Sequence, residues 1–169
     1  MVKRIFIISV ILAFSGCSRT IEYYEYSAKE IPIENNGVLN VGLLGEFSED
    51  NTFLEKRAIS GNPYSLSISF SPTSDLAFCI NKLFFSQGEA VMEVNLLGDK
   101  CGKETTFKDF PPGTKIFSFE KINMELGKPV KITILSSMGS GDRNEINIEL
   151  TNKYRVEEKN IFLSRVLGV

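Results

Sequence analysis

The 169-residue sequence contains no histidine. That removes the commonest general base near neutral pH, and with it Ser-His-Asp and Cys-His catalysis and every histidine-containing zinc site. No serine sits in a Gly-x-Ser-x-Gly turn. Positive charge is neither abundant nor clustered: Lys and Arg number 19 against 21 Asp and Glu, a formal charge of −2. Phosphate neutralisation needs local positive charge, so nucleic acid is excluded as a partner. No apolar run reaches the ~20 residues needed to span a bilayer, and there is no fixed-period repeat. Cysteines number three, Cys17, Cys79 and Cys101. An odd count in an exported protein calls for an explanation.

What the chain does have at its start is a processing segment. Lys3 and Arg4 form a short positive region, and Ile5–Phe14 an apolar run broken only by Ser9, the pattern of a signal peptide. Two cleavage sites fit. Ala13 and Ser15 make a loose A-x-A-like site, with cutting before Gly16 and a soluble periplasmic product. Alternatively, "FSGC" at 14–17 resembles the bacterial lipoprotein signature, in which small residues precede the modified cysteine; Phe14 stands where leucine is usual. The resemblance covers only the leader and Cys17. It implies a signal peptide of residues 1–16, diacylglycerol on the Cys17 thiol and an acylated amino terminus. Ser18, in place of aspartate, then implies the outer membrane of a Gram-negative host, with the domain facing the periplasm. Acylation also closes the cysteine count, because Cys79 and Cys101 are left to pair in an oxidising compartment.

The remainder reads as one all-β domain, mainly antiparallel, over residues 21–169. Tyr64, Leu66, Ile68 and Phe70 alternate with serines. Ile146, Ile148 and Leu150 alternate with polar residues, as do Val130, Ile132 and Ile134, and Ala90, Met92, Val94 and Leu96. Each is the pattern of a half-buried strand. In "FCINKLFF", Phe78 and Ile80 share one parity and Leu83 and Phe85 the other, so a bulge near Asn81–Lys82 puts all four on one core. Turn residues at Gly61–Pro63, Ser71–Asp75, Ser86–Gly88, Pro111–Gly113, Leu126–Pro129 and Met138–Asp142 separate the runs. Frequent turns between short strands predict a β-sandwich, immunoglobulin-like in general architecture. Asn51–Ile59 is the best helical candidate. The first strand is expected at Ile21, leaving residues 17–20 as the lipidated terminus and a short tether that seats the domain against the membrane. The rival is a core starting near Val38 on some twenty tether residues.

No catalytic residue, metal ligand or cofactor site can be nominated. The carboxylates Glu157 and Glu158, in "RVEEKN", read as a solvated turn, and "MGSGDRNE" at 138–145 as a hairpin tip. The tyrosines of "EYYEY", Tyr23, Tyr24 and Tyr26, combine apolar area with a hydroxyl and are the candidate partner contacts, on what reads as an edge strand. These features predict a non-enzymatic, membrane-anchored module that binds another protein. The alternative is a periplasmic immunity or inhibitor lipoprotein neutralising a secreted toxin, to which the chain is similar in format only.

Overall fold

The computed structural model describes residues 18–34, 36–51, 56–74, 77–139 and 142–160. Cys17, the leader and part of the helical candidate, 52–55, lie outside them. The described residues contain strands and no helix. The two ends of the helical candidate, Asn51 and 56–59, belong to β3 and β4 of a long hairpin.

The chain opens with β1 (Ser18–Tyr26) and β2 (Lys29–Ile33), followed by β3 (Gly37–Asn51) and β4 (Lys56–Pro72). Next come β5 (Phe78–Gln87), β6 (Ala90–Glu93), β7 (Lys103–Glu104) and β8 (Lys115–Ser118). The last three are β9 (Val130–Met138), β10 (Asp142–Leu150) and β11 (Asn152–Asn160). One sheet has the order β11-β1-β4-β3-β2, with β8 on the far half of β4 and β7 beside β8; the other has the order β10-β9-β5-β6. The molecule is a β-sandwich. Its pairs are antiparallel except β1 with β4, which is parallel.

The alternating runs fold as the pattern demands. Tyr64, Leu66, Ile68 and Phe70 of β4 are buried, as are Val130, Ile132 and Ile134 of β9 and Ile148 and Leu150 of β10. The β5 bulge falls between Ile80 and Lys82, where the pairing with β9 shifts register. Phe78, Ile80, Leu83 and Phe85 consequently all reach the core. Between the sheets Phe78 stacks on Phe70 at 4.4 Å and meets the Phe117 edge at 5.8 Å. The run from Ala90 behaves differently. All four residues of β6, an edge strand, are exposed. Val94 alone is buried, with Leu96 half-buried, where the chain leaves β6 and bridges to Phe119.

Two corrections define the architecture. Gly61–Pro63 is not a turn between strands. It lies inside β4, as a register shift opposite Gly45 and Glu46 of β3. A Cβ on Gly45 would come within 2.7 Å of the Gly61 backbone, so only glycine permits this approach. And β1 begins at Ser18, three residues before the expected Ile21, inside the sheet and not at its edge: β11 flanks it on one side, β4 on the other. "RVEEKN" is likewise strand, within β11.

The long strands outrun the second sheet. The hydrophobic core takes Tyr26 from β1, Leu39, Val41 and Leu43 from β3, and Tyr64 onward from β4. Among the described residues it takes none from 18–25, 46–61 or 153–160. Those described residues form the part of the same sheet that extends past the core, built from β11, β1, the first part of β4 and the last part of β3 and here called the stem. From Ser18 to Tyr26 it measures about 25 Å at the usual strand rise.

Candidate partner-binding surface

The stem has two faces because successive strand residues alternate. On one, Tyr23 packs edge-on against Phe47 at 6.1 Å and lies under the Arg155 guanidinium at 4.1 Å. Its hydroxyl donates to Glu157 at 3.4 Å, and Arg155 also pairs with Glu25 and Glu157. Ile21 and Ala58, in register with each other, are buried on the same face. On the other, Tyr24 packs on Tyr154 at 4.9 Å and donates to Glu22, which also pairs with Arg57. Phe47, Tyr154 and Val156 are exposed. Tyr23 and Tyr24 are half-buried and keep part of their rings at the surface.

Tyr26 does not belong to this surface. It is buried, edge-on to Tyr64 at 5.3 Å, and donates to the Lys128 carbonyl at 2.6 Å. Its parity matches Tyr24, but by Tyr26 the second sheet and its connecting loop cover that face. The expected contact of Tyr26 with a partner is therefore replaced by a core role.

The joint between stem and sandwich is firmly held. The β1–β4 ladder ends at the Tyr23–Ser60 pair, and the Tyr64 hydroxyl then donates to the next carbonyl, that of Tyr24, at 2.8 Å. Asn62 Oδ1 accepts from the Met124 amide at 2.9 Å, and Lys121 pairs with Glu46 at 2.6 Å. Burial first, then the neighbouring Tyr26 and Tyr24, push the Tyr64 phenol well above its ordinary value. The folded protein thus keeps a proton that the unfolded chain loses above about pH 10, so stability falls as pH rises beyond that point. Tyr64→Phe should cost about 1–2 kcal/mol at neutral pH through the orphaned carbonyl. It should also flatten the alkaline fall in urea midpoint between pH 9.5 and 11. An unchanged alkaline slope would remove Tyr64 from this role.

Cys79 and Cys101 form a disulfide, with Cα atoms 3.9 Å apart. Cys79 points away from the core side of β5, as its parity requires. The bridge pins the segment from Val94 to Cys101 across one side of the sandwich. Backbone bonds tie that segment to β5, from Ile80 N to Lys100 O and from Val94 N to Leu83 O. A third, from Leu97 N to Ser118 O, ties it to β8.

Chemistry-bearing groups are sparse. A concavity of about 720 Å³ lies over the β5 bulge, lined by Asn81, Lys82, Lys100, Ser137 and Arg143, with Glu145 as its one carboxylate. Among the described residues, every buried side-chain nitrogen or oxygen has a partner, so none is left aimed into it. Nor is any group of three or more acidic or cysteine side chains placed to hold a metal ion. Glu157 and Glu158 sit on opposite faces of β11. The sequence reading missed the β7–β8 hairpin, which exposes Phe107 and Phe110; its visible signal is the aromatic pair before Pro111–Gly113. The chain matches no known family model, no curated protein and no solved structure.

Proposed function

We propose that this chain is a non-enzymatic binding module, lipid-anchored through Cys17 to the outer membrane and facing the periplasm, where it contacts another protein. The supporting observation is the place of β1. The residue after Cys17, Ser18, is already strand at the free end of the stem, paired with Asn160 of β11, and from Arg19 onward β1 runs between β11 and β4. A lipid on Cys17 would therefore couple directly to the fold. In this reading the stem replaces both expected tethers. The sandwich neither rests on the headgroups nor drifts on a flexible linker. It stands about 25 Å off, the length of β1.

Acylation is tested by growing cells with a clickable fatty acid. The wild type should be labelled and sediment with membranes. Cys17→Ser should lose the label. Equal labelling of both, or none of either, would sink the anchor; the latter would favour the soluble product.

A further inference from the structure

We propose that the concavity over the β5 bulge is a binding site for a phosphate monoester. Its polar lining comes from distant parts of the chain: Asn81 and Lys82 of β5, Lys100 of the segment after β6, Ser137 of β9, and Arg143 and Glu145 of β10. In an unbroken strand Lys82 would share the inward parity of Ile80. The bulge that brings Leu83 and Phe85 to the core reverses that parity and sets Lys82 on the outer face. Two register rows then cross this face. One joins Arg143, Ser137 and Cys79; the next joins Glu145, Leu135 and Lys82. At the usual strand spacing and rise, Lys82 and Arg143 are about 12 Å apart at Cα, so two long side chains can meet over one small anion. Lys100 enters from the side. Its carbonyl accepts from Ile80 N at 2.7 Å, and the next residue, Cys101, is bridged to Cys79.

The charges name the ligand. Lys82, Lys100 and Arg143 against Glu145 leave an excess of two positive charges in the lining, in a chain whose formal charge is −2. Among the described residues, neither Lys100 nor Arg143 pairs with a carboxylate. The acidic groups beside them are held elsewhere: Asp99 accepts from the Cys101 amide at 2.9 Å, and Glu145 from the Asn147 side chain at 2.9 Å. Lys82 meets Glu93 at 3.4 Å, with both side chains half in water. Such a pair contributes little, so Lys82 can turn to a ligand. A phosphate monoester carries about −1.5 to −2 at neutral pH and three acceptor oxygens. It matches both the excess charge and the three cations converging from different elements, whereas a carboxylate has one charge and two oxygens. Arg143 supplies a planar fork that suits phosphate oxygens. The volume of about 720 Å³ lies within the range of small-molecule sites, roughly 300–1,000 Å³. The organic part of the ester therefore fits as well, over half-buried Leu135.

The test is calorimetric titration of the purified mature protein with glucose 6-phosphate and with dihexanoyl phosphatidic acid. Both carry the phosphate monoester, one as a free solute and one as a lipid headgroup. At least one should bind saturably, and glucose should not; the tighter of the two assigns the source. Arg143→Gln or Lys100→Gln should weaken binding roughly tenfold or more, the loss of one charge-assisted hydrogen bond. Lys131→Gln removes an equal charge from the outer face of β9, outside the lining, and should leave the affinity nearly unchanged. All three positions are exposed, so each variant should keep the wild-type melting temperature. No saturable binding of either phosphate would overturn the site. So would glucuronate binding as tightly as the phosphates, or an equal loss from Lys131→Gln, which would reduce the effect to diffuse surface charge. None of these measurements requires acylation of Cys17, so the anchor and the site can fail independently.

Discussion

Phe78→Ala is expected to lower unfolding stability by about 3–5 kcal/mol, the range for truncating a buried phenylalanine. Phe78 is fully buried in β5, stacked on Phe70 of β4 and edge-on to Phe117 of β8. It is therefore the aromatic contact through which the second sheet grips the first. Removing the ring leaves a cavity between two hydrogen-bonded sheets, and ladders on both sides limit how far the backbone can close it. Phe78→Leu keeps much of the volume and should cost less than half as much. Leu44→Ala, at an exposed position, should stay within about 0.5 kcal/mol of wild type. Urea titrations of the mature domain give all three values. A loss below about 1 kcal/mol for Phe78→Ala would mean that the sheets are held together elsewhere.

Reducing the Cys79–Cys101 bridge should remove about 3 kcal/mol, the loop-closure value for its sequence separation of 22. For a domain of this size that corresponds to a fall of roughly 10 °C in melting temperature. The position of the bridge makes the loss local as well as global. The segment it pins spans the gap between β5 and β8, and Gly102 lies against the Phe117 ring. Amide exchange in the reduced protein, or in the Cys79→Ser/Cys101→Ser variant, should therefore accelerate first at Ile80 and Leu97. The β1–β11 ladder should stay protected. A melting temperature unchanged within 2 °C, or uniform acceleration across both sheets, would refute this structural role.

How much of this could be read from the chain depended on the range of the information. Period-two alternation is local, so the buried faces of β4, β9 and β10 were legible residue by residue. The bulge in β5 was legible too, because the parity of four apolar residues changes at Asn81–Lys82 and only an extra residue reconciles them. The disulfide followed from counting. The β6 pattern misled because alternation reports which residues share a face, not whether anything covers that face. Gly61–Pro63 misled in the same way. Its residues signal a break in a regular ladder, and a bulge within one long strand satisfies that signal as well as a turn does.

The stem was out of reach of any local reading. "EYYEY" is equally good as an edge or a central strand. Its place between β4 and β11 depends on partners that include the far end of the chain, Tyr24 opposite Tyr154 among them. Whether Tyr24 stays at the surface while Tyr26, of the same parity, is buried depends on where the second sheet stops. By itself the sequence determined the all-β class, the inward residues of the main strands, the β5 bulge, the cysteine pair and the absence of histidine chemistry. Each of these rests on composition or on neighbours a few residues apart. Only the tertiary structure decided the strand order, the projection of the stem past the core and the exposure of Phe107 and Phe110. Those features are set by non-local pairing and by how far one sheet covers the other, which no short window of sequence contains.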